Sequence, residues 1–126
     1  MSDRVVLYIE DNYHNRRIVR KILSAKGYPI EEAEDGKKGL QMVEDLHPAL
    51  VLLDISLPGM DGIEVVGRLK ANPDLKAIPV VALTASAMVG DRERFLAAGC
   101  DDYLSKPVRA ADLLAKVGEY VPPSEN

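Results

Sequence analysis

The sequence predicts an α/β fold, a doubly wound parallel sheet with helices on both faces. Three observations predict it. Five short apolar runs alternate with longer amphipathic stretches, so strand and helix follow each other five times over. Three of those runs are continuous rather than alternating, as strands buried on both faces should be. The chain has 126 residues, 47% hydrophobic and 29% charged, which suits one domain with a proper core and no need of disulfide or metal staples.

The elements follow in order. The first strand is the apolar run 5–9. Ile18, Val19, Ile22 and Leu23 then fall on one face at helical spacing, and Gly27 stops that helix. The second strand, around 30–33, is flanked by Pro29 and holds Glu31 and Glu32, which puts it at a sheet edge. Leu40, Val43 and Leu46 make the second helix, which ends before Pro48. The third strand is 49–53. Asp61 with Glu64 resembles a capping box opening the third helix, around Val65, Val66 and Leu69. The fourth strand is 78–83, followed by a helix over 88–98 with Phe95 and Leu96 inward and Gly99 as its stop. A brief strand at Tyr103 and Leu104 precedes the last helix, with Leu113, Leu114, Val117 and Tyr120 on its inner face. The expected domain is 1–121, with a short tail over 122–126.

Composition excludes some functions. Sixteen basic against twenty acidic residues give a net charge of -4, which argues against nucleic-acid binding through bulk charge. Cys100 is the single cysteine, so no internal disulfide can form; a small buried thiol in a reducing cytoplasm is expected. The first apolar run is too short for a signal peptide, and no run approaches the roughly 20 apolar residues a membrane span needs. A cytoplasmic location with no membrane partner is the expectation.

In a doubly wound sheet the carboxyl ends of the strands point to one rim, where ligands bind. Strand one ends in Glu10-Asp11, strand three in Asp54, strand four in Thr84-Ala85-Ser86 and strand five in Ser105-Lys106-Pro107. Each has a plain structural explanation: helix caps for Glu10-Asp11, a turn for Asp54, a strand-end hydroxyl for Thr84, a solvated charge for Lys106. None of these explains why all collect at one rim. Three carboxylates together repel one another unless a cation intervenes. Oxygen-only ligands, with no nearby His or Cys, suit Mg2+. A carboxylate beside such a metal can attack phosphorus to give an aspartyl phosphate. Lys106 would neutralise a phosphoryl oxygen and Thr84 would donate a hydroxyl to another.

At these residues the sequence resembles the receiver domain of two-component response regulators. The resemblance spans essentially the whole chain and rests on "IEDN", "LLDISLPGMDG", "VVALTAS" and "GCDDYLSKP", in order and at family spacing. It implies a five-stranded sheet of order 2-1-3-4-5, as in flavodoxin-like receivers. It implies that Asp54 accepts a phosphoryl group from the phosphohistidine of a sensor histidine kinase or histidine phosphotransfer protein. Asp11 and Asp54 would ligate Mg2+, with Glu10 close by or acting through water and the Ser56 backbone carbonyl completing the set. Glu10 stands where many members have Asp. Lys106 would pair with the phosphoryl group, its bond to Pro107 cis. Thr84 and Tyr103 would form the switch, with helix four, strand five and helix five as the output face toward a downstream protein target. The chain reads as a stand-alone receiver of the chemotaxis or cell-division regulator kind, monomeric or weakly dimeric. It would be a signalling switch that catalyses its own phosphorylation and dephosphorylation rather than a conventional enzyme. A domain cut from a larger hybrid kinase remains an alternative.

Other readings differ in stated features. A haloacid-dehalogenase-type phosphohydrolase needs a second Asp two residues after the nucleophile, where Ser56 stands. A nucleotide or flavin binder would show a glycine-rich phosphate loop, which does not occur. A never-phosphorylated interaction module would not need the intact set Glu10, Asp11, Asp54, Thr84 and Lys106. The small Ser56 and Ser86 suggest an acyl phosphate open to water and of short to moderate lifetime. Glycines 59 and 62 suggest unusual backbone angles near the site. His14 and His47 read as solvated, and "RRIVRK" as a basic helix stripe whose Arg16 and Arg20 could guide a kinase.

Overall fold

The computed structural model describes residues 4–55, 57, 61–85 and 91–121. Its elements run β1 (Val6–Ile9), α1 (Tyr13–Ala25), β2 (Ile30–Ala33), α2 (Gly36–Leu46), β3 (Leu50–Asp54), α3 (Gly62–Ala71), β4 (Val80–Thr84), α4 (Asp91–Ala98), β5 (Asp102–Ser105) and α5 (Ala110–Tyr120). All strands pair in parallel, in the order β2-β1-β3-β4-β5. The fold expectation is borne out, with β2 at an edge.

The continuous apolar runs are explained by the two faces they serve. Leu7, Ile9, Val51, Leu53, Val80 and Ala82 pack with residues of α2, α3 and α4, among them Val43, Val65, Leu69 and Phe95. Val6, Tyr8, Leu50, Leu52, Val81 and Leu83 alternate with them and pack with α1 and α5 through Val19, Leu23, Leu113 and Val117. Cys100 is buried in the first of these cores, and burial pushes its thiol up to about 11, so it is inert at neutral pH.

The starts of α1, α2 and α3 are side-chain capped, while Arg109 before α5 makes no side-chain cap bond. Asn12, Asp35 and Asp61 accept from the backbone amides of Asn15, Lys38 and Glu64 at 3.0, 2.7 and 2.9 Å. The expected capping box at α3 is only half formed, because the Glu64 carboxylate turns to Arg68 one turn on. Gly27 and Gly99 follow α1 and α4 at positive φ, and His47 ends α2 at φ 46° before Pro48.

Three apolar-face expectations are corrected. Ile18, Leu46 and Leu96 are exposed, at 55%, 41% and 39%. Val19 and Leu23 cover the sheet from α1, and among the described side chains of α4 Phe95 makes the deep contact that the sequence assigned to a pair. Residues 88–90 of the expected fourth helix, and the tail 122–126, lie outside the described residues.

Candidate functional site

The parallel register brings the strand ends to one rim, since Asp54 lies beside Leu83 of β4 and Thr84 beside Ser105 of β5. Asp54 is the last residue of β3 and is only 4% exposed. Its strand is held at that end by the Ile55 amide, which donates to the Leu83 carbonyl at 3.1 Å. Glu10, just past β1, is 1% exposed, while Asp11 beside it is open to solvent. Glu10, Asp11 and Asp54 each offer a carboxylate oxygen within 4.8 Å of the others.

One cation serves two of these acids. The Lys106 ammonium lies 2.9 Å from Glu10 Oε1 and 3.3 Å from Asp54 Oδ1. Its backbone amide donates to the Thr84 carbonyl at 2.7 Å, tying the loop after β5 to the end of β4. The Lys106–Pro107 bond is cis, as expected. Thr84, at the end of β4, is buried.

Burial opposes ionisation of Glu10, but hydrogen bonds with the Asp54 carboxyl, Lys106 and Tyr8 outweigh it, and the Glu10 pKa falls to about 2. Lys106 is raised: burial disfavours its charge, and the bond and field of Glu10 together with Asp54 more than reverse this. Tyr8 is pushed well up by burial and by the Glu10 charge. The sign for stability follows. A depressed carboxylate stabilises the fold above its unfolded pKa and loses that contribution as the proton returns. In metal-free protein, urea denaturation should show the parent more stable than Glu10→Gln at pH 7, with the gap closing between about pH 5 and pH 2. A gap that holds constant across that range would contradict the ion-pair assignment.

Three side chains in and around the site were not singled out for it from the sequence. Tyr8 donates its hydroxyl to Glu10 Oε1 at 2.9 Å, and Asn15 donates its side-chain amide to the same oxygen at 3.1 Å. The signal for Tyr8 was a lone phenol in an aliphatic strand, two residues from Glu10 and so on its face. Arg16 is the third. One of its guanidinium nitrogens donates to the carbonyls of Glu10 and Asp11 at 2.8 and 3.1 Å, and its Nε pairs with Glu32. Arg20 pairs with Glu32 too. Arg16 is therefore a clamp on the acidic loop rather than a solvated charge. Among the remaining cations of that stripe, Arg17 and Lys21 are exposed, and Arg17 lies over the Tyr13 ring.

Tyr103 sits half-buried on β5, its ring 6.4 Å from that of Phe95. A groove of about 360 Å³ opens beside Lys106 between α1 and the start of α5, lined by Ile18, Ile22, Pro107 and Val108 among others. Ser56, Ser86 and Gly59, to which a metal carbonyl, phosphate lifetime and backbone freedom were assigned, lie outside the described residues. Gly62 is described, and it is needed for space rather than for an unusual φ.

The donor set fits a hard divalent cation. It is all oxygen, carries several negative charges for one ammonium, and leaves Asp11 facing water, from which an ion with retained waters would enter. No described helix is long and apolar enough to cross a membrane.

Comparison with known proteins agrees. The family model of the response regulator receiver domain matches residues 6–118. The polar-differentiation response regulator DivK of Brucella ovis is 38% identical over 116 residues, covering 92% of this chain and 94% of that protein. A receiver domain of the sensor histidine kinase PA1611 from Pseudomonas aeruginosa, solved with magnesium coordinated in its active-site cleft, is 32% identical with a TM-score of 0.86, over 94% of this chain and 98% of that one. The chemotaxis protein CheY4 of Vibrio cholerae matches with a TM-score of 0.89 at 25% identity, over 95% and 100%.

Proposed function

Because the chain belongs to the response regulator receiver domain family, we propose that it is a phosphorelay receiver in which Asp54 accepts a phosphoryl group from a phosphohistidine. The observation behind this reading is the placement of a buried strand-end carboxylate, Asp54, against Lys106 and beside Glu10 and Asp11. The donor is a sensor histidine kinase or a histidine phosphotransfer protein. The receiver spans 1–121, acts as a monomer or weak dimer, and passes its state to a protein target.

Glu10, Asp11 and Asp54 would hold Mg2+, with the Ser56 carbonyl; when bound, the ion neutralises charge on the phosphoryl oxygens. The likeness to a magnesium-containing receiver supports that choice of ion. An Asp54 oxygen forms the bond to phosphorus as the donor's N–P bond breaks, its electron pair returning to the imidazole. Lys106, 3.3 Å from Asp54, turns its ammonium to the arriving phosphoryl oxygens. Thr84 supplies a hydroxyl at the end of the neighbouring strand. Its movement toward phosphate, with Tyr103 turning further in against Phe95, biases the α4–β5–α5 face between two states.

The test is intact-mass measurement after incubation with Mg2+ and acetyl phosphate. The parent is expected to gain one phosphoryl group that is then lost by hydrolysis, and Asp54→Asn none. Steady release of inorganic phosphate without an adduct would replace this reading by a phosphohydrolase. Neither adduct nor turnover would leave an unphosphorylated interaction module.

A further inference from the structure

Four of the hydrogen bonds that Glu10 accepts are divided unevenly between its two oxygens. Oε1 accepts from the Tyr8 hydroxyl at 2.9 Å, the Asn15 side-chain amide at 3.1 Å and the Lys106 ammonium at 2.9 Å. Oε2 accepts the Asn12 backbone amide at a longer 3.3 Å. A carboxylate oxygen has about two lone-pair positions, so three donors saturate Oε1. The donors come from three separate elements: the sheet interior, the first turn of α1 and the loop after β5.

The Tyr8 hydroxyl has no packing purpose. Tyr8 is 1% exposed in a strand whose other members are Val6, Leu7 and Ile9, and a phenylalanine would fill the same space without a polar group to satisfy. Its hydroxyl bonds Glu10 across the i, i+2 spacing that puts both on one side of the strand. Asn15 does two things at once. Its backbone amide is the one capped by Asn12, and its side chain reaches Glu10.

We propose that Tyr8 and Asn15 are positioning residues for the metal site: by occupying Oε1 they leave Oε2 as the oxygen Glu10 offers a divalent cation, and they keep Oε1 satisfied when Lys106 leaves it for the phosphoryl group. This rests on the receiver reading above. It also gives the longer Glu10 side chain a reason to be tolerated, because the extra methylene is held by donors that fix its direction. Groups that orient a metal-binding carboxylate typically change affinity by 10–100-fold when removed.

Magnesium titrated into metal-free protein and followed by calorimetry tests this without any turnover. Tyr8→Phe keeps the ring and the core, and is expected to raise the Mg2+ Kd about tenfold. Asn15→Ala, which leaves its backbone amide on the Asn12 cap, is expected to raise it as well. In a Glu10→Gln background Tyr8→Phe is expected to shift Kd by less than about twofold, since the hydroxyl then has no carboxylate to orient. A parent-like Kd in both single variants, or an equal shift with and without Glu10, overturns the proposal and leaves the receiver reading standing. A parent with no saturable Mg2+ binding overturns the metal reading and this proposal with it.

Discussion

Lys106→Ala is expected to cost the metal-free protein about 2–3 kcal/mol of stability and to slow phosphorylation by acetyl phosphate about a hundredfold. Both effects come from one position. The ammonium is the charge partner of Glu10, which is almost fully buried, and of Asp54, and it is itself only 20% exposed. Removing one member of such a pair leaves the other charge desolvated and uncompensated, which costs more than an exposed pair would. Tyr8, Asn15 and the Asn12 amide still serve Glu10, which keeps the loss below that of a bare buried carboxylate. The kinetic loss has a separate origin, because charge develops on phosphoryl oxygens where the ammonium stands. The two can be separated with metal. Lys106 and a divalent cation would neutralise the same carboxylates, so Mg2+ should raise the melting temperature of Lys106→Ala by more than it raises the parent's. Equal Mg2+ stabilisation of both proteins, measured by thermal denaturation, would show that the ammonium and the ion do not share these carboxylates.

The strand order and the rim were legible because they depend on local pattern and on a general rule. Continuous apolar runs mark strands covered on both faces, and the carboxyl ends of parallel strands converge, so the sequence alone groups Asp54, Thr84 and Lys106 at one rim. What escaped were pairings set by tertiary contact. Arg16 reads as one charge in a basic helix stripe, and nothing in helical spacing says that Glu32, sixteen residues on in an edge strand, will draw it inward over the Glu10 and Asp11 carbonyls. Ile18 and Leu96 obey helical periodicity at the margin of an apolar face, where tertiary packing and not spacing decides whether a side chain is covered. Tyr8 reads as strand apolarity because its ring is apolar; its hydroxyl matters because Glu10 lies buried beside it. Sequence pattern thus located the groups of the candidate site, while the groups that hold them in place are visible only in three dimensions.

Gly62→Ala should be the most damaging single methyl group in α3, and it should damage the site as well as the fold. A Cβ at Gly62 would stand 2.6 Å from the Ile55 Cα and 2.9 Å from the Asp54 carbonyl oxygen. Both are backbone atoms, so no side-chain rotation relieves the contact. The helix cannot easily retreat, since Asp61 caps it and the Gly62 amide donates to the Ile55 carbonyl at 3.0 Å. The strand cannot easily yield either, because Ile55 is bonded to β4 on its other side. Overpacking of this kind typically costs 1–3 kcal/mol, and immobile neighbours on both sides put Gly62→Ala at about 3 kcal/mol. Any relaxation that does occur moves the end of β3, and with it Asp54 relative to Lys106. A misplacement of about 1 Å at a reacting group can cost a hundredfold in rate, so phosphorylation by acetyl phosphate should fall by about that factor even in the folded fraction. Gly67→Ala supplies the control in the same helix. Its Cβ would meet nothing within 4 Å, and an exposed helical glycine replaced by alanine should gain about 0.5–1 kcal/mol. Urea denaturation of the two variants should therefore give shifts of opposite sign. Parent-like stability and phosphorylation in Gly62→Ala would mean that the end of β3 is free to move, and that Asp54 is not held in register by the start of α3.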